Sequence, residues 1–267
     1  MTKIAIVGGG MLGGTLLGGL FRSGVLHTNV AVVEKSPERA EHLRNTFGVS
    51  VEPVGQAVGA ADVVFLIVKP QDMEATVSQV APSLRPEALV VSLAAGITTA
   101  FLESRLPSGT PVVRVMPNTP AQVGMGMAAV SPGTSVDSAH LDLVEGLLAP
   151  LGLVVRVPED MQDAVTAVSG SGPAYIFYVI EAMVDAGVRL GLPADVARQL
   201  TVQTVLGAAT MVRDTETDPA TLREQVTSPN GTTAAALATL GDRGVHDAFV
   251  AAIEAARDRS RELAAGG

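Results

Sequence analysis

Cysteine and tryptophan are absent from the 267-residue sequence, and both absences narrow the chemistry that we expect. Without cysteine, disulfides, thiolate metal ligands, iron–sulfur clusters and a cysteine nucleophile are excluded. The four histidines, His27, His42, His140 and His246, stand far apart, and no two have helical spacing, so we predict no metal site. Aromatic residues make up only 3% of the chain, which disfavours a stacking surface for single-stranded nucleic acid.

Positive charge is also scarce. Eighteen lysines and arginines stand against 27 aspartates and glutamates, which gives a formal net charge of −9. We therefore expect no nucleic-acid partner and no anionic membrane partner. Hydrophobic residues make up 47% of the chain and charged residues 17%, a composition typical of a folded core rather than of disorder.

Two uncharged stretches, residues 4–21 and 164–180, have the composition of a signal peptide or a membrane segment. The first contains seven glycines, and the second contains the run Ser169-Gly170-Ser171-Gly172-Pro173. A bilayer has no water to satisfy a backbone that is broken there. We therefore expect no membrane segment, and with no export signal we expect a cytoplasmic protein.

The first part of the chain alternates short β-branched runs with helical segments, which indicates right-handed βαβ units and a parallel sheet. We predict buried strands at Lys3–Val7, Val30–Val33, Val63–Val68, Leu89–Leu93 and Val112–Met116. Leu153–Val157 could add an edge strand.

From about Met161 onward, apolar residues recur at helical spacing instead. We predict helices from Pro193 to Met211, from Asp218-Pro219 to about Val226, and from His246 to Leu263. The fold class is therefore α/β: an N-terminal Rossmann-like domain with a mostly parallel sheet, residues 1–158, is followed by an all-α domain, residues 159–267. The helical part carries more apolar surface than one thin layer can hide, which predicts pairing with a second copy.

The first chemical signal is Gly8-x-Gly10-x-x-Gly13, directly after the first predicted strand. In a dinucleotide-binding fold, these glycines serve the tight turn, the close approach of backbone to pyrophosphate, and helix–strand packing. The alternative is a glycine-rich turn without a ligand.

The second signal is Glu34-Lys35-Ser36-Pro37-Glu38-Arg39, after the second strand. Glu34 is suited to the ribose diol of NAD, whereas Lys35, Ser36 and Arg39 are suited to a 2′-phosphate, as in NADP. A third interpretation is a solvated turn that opens a helix at Pro37.

Ligand sites in such folds lie beyond the carboxyl ends of the strands. Small residues and prolines follow three of the predicted strands, at Lys69-Pro70-Gln71, Ala94-Ala95-Gly96 and Pro117-Asn118-Thr119-Pro120. They would allow a flat nicotinamide ring to lie close to the backbone, although ordinary turns use the same residues.

Two segments rich in serine, glycine and proline interrupt the helical part. One is Ser169–Tyr175, and the other is Thr227-Ser228-Pro229-Asn230-Gly231-Thr232-Thr233, just before a predicted helix. The second segment offers hydroxyls and free amides at a helix N-terminus, which is a site for a carboxylate. The alternative is a helix cap without a ligand.

Taken in order, these motifs resemble those of the pyrroline-5-carboxylate reductase family, from Lys3 to Leu263. The residues that carry the resemblance are Gly8–Gly13, Val68–Gln71, Ala95–Ile97, Met116–Pro120, Asp163–Thr166, Ser169–Tyr175 and Thr227–Thr233. The resemblance implies NAD(P)H-dependent reduction of the cyclic imine 1-pyrroline-5-carboxylate to L-proline, the last step of proline biosynthesis. It also implies a helical domain that interlocks with a second subunit, and a larger ring of dimers. The implied cofactor is NADP(H), with NAD(H) as an alternative.

The resemblance also implies residue roles. Thr233 is expected to hold the substrate nitrogen, Ser228 and the amides of Gly231, Thr232 and Thr233 the carboxylate, and Glu159 the edge of the substrate. The pyrophosphate is expected at Gly8, Gly10, Met11, Leu12 and Gly13, and a 2′-phosphate at Lys35, Ser36 and Arg39. The nicotinamide ribose and ring are expected near Val68, Lys69, Pro70, Ala95, Gly96 and Asn118.

The sequence departs from the family pattern at two positions. Asn230 stands where glycine is usual, and Val54 stands where an asparagine often approaches the adenosine half of the cofactor. Asparagine tolerates a left-handed backbone, so the loop at Asn230 is expected to keep its shape.

Two other functions fit the same architecture. A dehydrogenase acting on a small hydroxy acid normally needs a titrating lysine or histidine, but the three lysines, Lys3, Lys35 and Lys69, all precede the helical part. A non-catalytic nucleotide-sensing protein would leave the segment Ser228–Thr233 without a role.

Overall fold

The computed structural model describes residues 1–264 as an eight-stranded sheet with helices, followed by a helical region. The strands are β1 Ile4–Val7, β2 Val30–Val33, β3 Ser50–Val51, β4 Val63–Leu66, β5 Leu89–Ser92, β6 Val112–Pro117, β7 Gly126–Pro132 and β8 Gly152–Arg156. The α-helices are α1 Met11–Arg22, α2 Pro37–Phe47, α3 Val54–Gly59, α4 Met73–Val80, α5 Thr99–Glu103, α6 Ser138–Leu148, α7 Gln162–Val165, α8 Gly172–Arg189, α9 Ala194–Thr215, α10 Pro219–Gln225, α11 Thr232–Asp242 and α12 Val245–Ala264.

The sheet has the strand order β3-β2-β1-β4-β5-β6-β7-β8. Every neighbouring pair is parallel except β6 and β7, which run antiparallel. The chain crosses from one side of β1 to the other, between β3 and β4, so a switch point lies next to β1. The mostly parallel sheet confirms the predicted fold class.

Most predicted strands are found with shorter or shifted ends. The predicted strand Val63–Val68 ends at Leu66, and the next residue passes close to Gly8: a Cβ on Gly8 would lie 2.2 Å from the Ile67 carbonyl oxygen. The predicted edge strand Leu153–Val157 is present as Gly152–Arg156. Sequence analysis missed β3, which has only two residues, and β7, whose sequence GMAAVSP has few β-branched residues.

The core of the sheet region lies on both faces of the sheet. On one face, Leu16, Leu17 and Leu20 of α1 pack with Ile4 and Ile6 of β1. On the other face, Met73, Val77 and Val80 of α4 pack with Val64 and Leu66 of β4. Burial on both faces accounts for the continuous apolar sequence of the central strands.

The described residues form two compact units. Residues 1–171, together with α12 from Ala256 on, form the first unit, and residues 172–255 form the second. The first unit therefore contains the whole sheet and also the last turns of α12. There, Ser260 is buried and its hydroxyl donates to Asp163 at 2.7 Å. The boundary proposed from the sequence, between residues 158 and 159, stays a prediction.

The second unit consists of helices whose starts match the sequence signals. Pro193 is the N-cap residue of α9, which runs beyond the predicted Met211 to Thr215. Asp218 caps α10, because its carboxylate accepts the amides of Ala220 and Thr221. The last helix begins at Val245, one residue before the predicted His246.

Within the described residues, the helical run Glu159–Arg189 has the length and composition of a membrane-spanning helix, and 6% of its most apolar window is buried. One such run is weak evidence for a membrane segment, because the core helix of a soluble protein can have the same length and composition.

Candidate cofactor cleft and substrate loop

A cleft of about 660 Å³ lies in the first unit, beyond the carboxyl ends of β1, β2, β4, β5 and β6. This is where parallel α/β sheets bind nucleotides. Twelve of the residues that sequence analysis assigned to a cofactor line this cleft: Gly8, Gly10, Met11, Leu12, Glu34, Lys35, Arg39, Val68, Lys69, Pro70, Ala95 and Asn118.

Each of the three glycines in the first motif accounts for a different feature of the turn. Gly8 has φ +108, and Gly13 packs so closely that a Cβ would lie 2.2 Å from the Gly8 carbonyl oxygen. Gly13 therefore shapes the turn without lining the cleft. Around Gly10, by contrast, a Cβ would meet no described atom within 4 Å. Gly10 thus leaves room on the cleft side for a group that approaches the backbone.

Helix α1 starts at this turn with the features of an anion site. Its N-cap residue is Gly10, no side chain caps it, and its first turn contains no acidic residue. The amides at the start of a helix have no helical acceptor and carry the positive end of the helix dipole. Met11 and Leu12 therefore present donors suited to a pyrophosphate, and the cleft fits a dinucleotide.

Glu34 lines the cleft at the end of β2, but its carboxylate is bonded within the protein. One oxygen accepts the Gly9 amide at 3.0 Å, and the other accepts the Ser36 amide at 2.8 Å. The guanidinium of Arg39 lies 3.7 Å from the first oxygen, and the Glu34 side chain is only 8% exposed. Both oxygens of Glu34 thus already accept a backbone amide, which fixes the orientation of the carboxylate and leaves one lone pair on each oxygen.

Lys35, Arg39 and Val54 line the same end of the cleft. The Arg39 side chain is 53% exposed, so it remains accessible to a ligand. Ser36 does not line the cleft, because its hydroxyl caps α2 by accepting the Arg39 amide at 3.3 Å. Two cations and an apolar side chain, Val54, therefore define the end of the cleft near β2.

The opposite end of the cleft lies beyond β4, β5 and β6, where Val68, Lys69, Pro70, Ala95 and Asn118 meet. Gly96 follows Ala95 but faces away from this lining. It has φ +74, and a Cβ there would lie 3.6 Å from the backbone nitrogen of Ala264 at the end of α12. The left-handed backbone, rather than a place in the cleft lining, accounts for glycine at position 96.

Thr119, part of a segment that sequence analysis placed near the nicotinamide, lines the cleft, whereas sequence analysis missed several other lining residues, including Thr15, Gln122 and Gly170. Thr15 and Gln122 carry no motif signal. Gly170, however, belongs to the Ser-Gly-Ser-Gly-Pro run, which sequence analysis singled out without assigning it a role. It ends a π-helical turn, Thr166–Gly170, between α7 and α8.

Glu159 does not line the cleft. Its carboxylate accepts the Thr99 amide at 2.8 Å and the Thr99 hydroxyl at 2.5 Å, and it pairs with buried Arg114 at 3.3 Å. These contacts connect the start of α5 and β6 to the short 3₁₀ helix that contains Glu159. The carboxylate thus neutralises a buried guanidinium. This ion pair explains why an acidic residue occupies position 159.

The expected substrate loop lies in the second unit, between α10 and α11. Asn230 has φ 59, the left-handed conformation that asparagine was expected to tolerate here. The Gly231 amide donates to the Ser228 carbonyl at 3.0 Å, and a Cβ on Gly231 would lie 2.4 Å from the Ser228 hydroxyl oxygen. Glycine at 231 therefore permits the tight turn that brings Ser228 beside the helix start.

Helix α11 begins at Thr232, with Gly231 as N-cap residue and no side-chain cap. The Thr233 hydroxyl therefore does not cap the helix. The amides of Thr232 and Thr233 lie in the first turn, where no helical acceptor reaches them. Two free amides and the hydroxyls of Ser228, Thr232 and Thr233 thus lie around one helix start. Among the described residues, no group of three or more acidic or histidine side chains could hold a metal ion.

Two family models match the chain, and together they cover both regions. The model described as "NADP oxidoreductase coenzyme F420-dependent" matches residues 3–96, and "Pyrroline-5-carboxylate reductase dimerisation" matches residues 159–263. A pyrroline-5-carboxylate reductase of Corynebacterium melassecola is 45% identical and covers 98% of this chain and 99% of its own length. The enzyme of that name from Pseudomonas aeruginosa is 44% identical, with coverage of 98% and 97%.

Solved structures give the same result. A pyrroline-5-carboxylate reductase of Coxiella burnetii superposes with a TM-score of 0.93 at 37% identity, and 98% of each chain is covered. The Plasmodium falciparum pyrroline carboxylate reductase, solved with NADP bound, has a TM-score of 0.88 at 26% identity, again with 98% of each chain covered. With a glycine-turn cleft, a serine- and threonine-rich helix start, and full-length relatives at this identity, the chain belongs to the pyrroline-5-carboxylate reductase family.

Proposed function

We propose that this protein reduces the C=N bond of 1-pyrroline-5-carboxylate to give L-proline, the last step of proline biosynthesis, with NADP(H) as cofactor. The observation that carries the proposal is the full-length similarity to pyrroline-5-carboxylate reductases, 45% over 98% of the chain. The cleft and the loop before α11 supply residue types that this reaction needs.

The residues of the first unit would hold the cofactor. Met11 and Leu12 would bind the pyrophosphate through their amides, with Gly10 leaving the room, and Lys35 and Arg39 would bind a 2′-phosphate. The Gly9 and Ser36 amides hold the Glu34 carboxylate, and the half-exposed Arg39 guanidinium lies 3.7 Å from it, so Arg39 would contact both this carboxylate and the phosphate. NAD(H), which lacks that phosphate, would bind as an alternative cofactor with weaker contacts. The reduced nicotinamide, when bound, supplies the hydride.

The residues of the substrate loop would hold an imino acid. The amides of Thr232 and Thr233 and the Ser228 hydroxyl are suited to its carboxylate, and the Thr233 hydroxyl to the ring nitrogen. The Gly231 amide already bonds to Ser228, so we assign Gly231 to the shape of the turn. An imine nitrogen is basic enough to bind already protonated. The protein therefore needs orientation and a carboxylate clamp rather than a strong general acid.

We also propose a homodimer that assembles into a ring of dimers and acts in the cytoplasm. The helical region matches a dimerisation model, and its apolar side chains lie exposed in the single chain: Phe177 is 63% exposed and Leu206 is 52% exposed. Burial of such side chains against a second copy removes apolar area from water.

The direct test is turnover of the purified protein with 1-pyrroline-5-carboxylate, followed by the loss of reduced nicotinamide absorbance with NADPH and, separately, with NADH. We expect substrate-dependent oxidation of NADPH and the appearance of proline in equal amount. Oxidation of NADPH with a small keto acid instead of the imine, or tight cofactor binding with no turnover, would contradict the proposal.

A further inference from the structure

Asn118 follows β6 at the cleft end opposite Lys35 and Arg39, and the protein already uses both ends of its side-chain amide. Its oxygen accepts the Met127 amide at 2.8 Å. Its nitrogen donates to the Ser169 carbonyl at 3.2 Å and lies 3.3 Å from the Ser169 hydroxyl. Asn118 thus connects β6, β7 and the π-helical turn, all within the first unit.

The sequence after Ser169 removes one donor that its carbonyl would have in an α-helix. In an α-helix, the carbonyl of residue 169 would accept the N–H of residue 173, and Pro173 has none. The chain forms a π-helical turn here, in which the Ser171 amide bonds to the Thr166 carbonyl at 2.8 Å. Such turns are rare and are often found at functional sites. Asn118 therefore donates to this carbonyl from 51 residues away, at a position where Pro173 cannot supply the α-helical donor.

The same turn forms part of the cleft wall. Gly170 lines the cleft, and a Cβ there would lie 2.4 Å from the terminal methyl carbon of Met116. The absence of a side chain at 170 lets the turn lie directly against the end of β6. The wall at this end thus consists of backbone, and Asn118 fixes its position.

We propose that Asn118 is a positioning residue for hydride transfer: it holds the π-helical turn, and through it the Gly170 wall, at the depth that the nicotinamide ring requires. This inference rests on the proposed function, since it assigns the nicotinamide to this end of the cleft. The role differs from the direct cofactor contact expected from the sequence. A displacement of about 1 Å in such a wall is enough to lower the rate by about 100-fold.

The first test compares Asn118→Ala with Asn45→Ala, an exposed asparagine on α2 of the same unit. We expect Asn118→Ala to lower kcat by about 10- to 100-fold, whereas Asn45→Ala leaves it unchanged. Isothermal titration with NADPH and with 2′-phospho-ADP-ribose, which lacks the nicotinamide, locates the defect. NADPH binding should weaken severalfold, and the Kd of the fragment should stay within twofold of wild type. Equal weakening of both ligands, or an unchanged kcat, would overturn the proposal.

The second test separates positioning from direct contact. The double variant Asn118→Ala/Pro173→Ala offers the Ser169 carbonyl a new backbone N–H from residue 173. We expect its kcat to exceed that of Asn118→Ala by at least about threefold, with Pro173→Ala alone near wild type. No rescue would favour a direct contact and contradict the positioning role. Because the titrations need no imine substrate, they test this inference even if 1-pyrroline-5-carboxylate is not the substrate.

Discussion

The two units of this chain bury their apolar residues to very different degrees. The first unit has two clusters of buried side chains, one on each face of the sheet. In the second unit, only Ala197 and Thr201 are buried among the described residues, although α8 and α9 are rich in apolar side chains. The first unit therefore has a core of its own, and the second unit lacks one in the single chain.

The difference shows that apolar residues serve two purposes in this sequence: packing within the chain and packing against another chain. Apolar residues in the first unit are matched to partners in the same chain, so its fold and its cofactor cleft follow from that chain alone. Apolar residues in the second unit are arranged for a surface that another chain has to cover, in keeping with the dimerisation model that it matches. Substitutions should therefore act mainly on stability in one unit and on assembly in the other.

The largest effect is expected from a charge on the exposed apolar face of the second unit. Phe177→Asp should weaken self-association by about 30-fold or more, because a buried aromatic at an interface contributes ~2 kcal/mol or more. Activity should fall with it if the dimer is the active form. Size-exclusion chromatography with light scattering measures the assembly. Leu26→Asp, at a side chain 49% exposed in the first unit, serves as the control and should leave the assembly intact. A stable, fully active Phe177→Asp dimer would remove the contrast between the units.

The next effect concerns Thr233, whose hydroxyl does not cap α11. Thr233→Val keeps the shape of the side chain and deletes the hydroxyl. We predict a fall in kcat/KM of about tenfold or more, since 1.4 kcal/mol of transition-state stabilisation corresponds to a factor of ten. The melting temperature and NADPH binding should change little. A variant that melts earlier but turns over normally would show that the hydroxyl serves the fold and not the substrate.

A smaller effect is expected at the end of the cleft near β2, where Lys35 and Arg39 lie. Arg39→Ala should raise KM for NADPH about five- to tenfold more than KM for NADH, because a phosphate contact at a half-exposed guanidinium is partly screened by water. Lys35→Ala is the companion variant, and we expect the same direction of change. If KM for NADPH and KM for NADH rise by the same factor, Lys35 and Arg39 do not bind the 2′-phosphate.

The smallest effect compares two ionised aspartates. The Lys3 amide, and then Arg85, hold the pKa of Asp62 below its ordinary value of 3.8, whereas the pKa of Asp214 is lowered by its neighbour Arg213. Asp62 joins segments far apart in the sequence, and Asp214 bonds only along its own helix. Asp62→Asn should therefore destabilise the protein by ~0.5 kcal/mol near neutral pH, and Asp214→Asn should have no measurable effect.

The pH dependence of that difference follows from the direction of the pKa shift. A lowered pKa in the folded state stabilises the protein above about pH 3.8, the ordinary value, and this stabilisation is lost as the pH falls through the lower folded value. Thermal melts of wild type and Asp62→Asn should therefore converge under strongly acidic conditions. A gap that stays constant with pH would mean that Asp62 acts through packing and not through its charge.

The parts of the structure that sequence analysis predicted well depend on local patterns. Val30–Val33 was located to the residue, because a short β-branched run between polar turns has few alternatives. The glycine turn and the start of α11 were likewise visible, since each is defined by residues adjacent in sequence.

The features that sequence analysis missed depend on partners far away in the chain. The internal bonding of Glu34 requires the Gly9 amide, 25 residues earlier. The contacts of Glu159 with Thr99 and Arg114 span 60 and 45 residues, so its charge could not be assigned to a buried pair from the local sequence. The π-helical turn needed both Pro173 and Asn118 to be explained. Such pairings are determined by tertiary structure, and no periodicity signals them.

The return of α12 to the first unit also determines when that unit is complete during protein synthesis. Ser260, whose hydroxyl donates to Asp163, leaves the ribosome only after residues 172–255 have been made. The hydrogen bond between Ser260 and Asp163 spans 97 residues, so this contact closes a long loop and forms late in folding. A nascent chain can thus build most of the sheet early, but the bond to Asp163 forms only after the Ser260 turn of α12 has been made. Truncation of α12 before Ser260 would therefore remove a contact made by Asp163 in the first unit, 97 residues away in sequence.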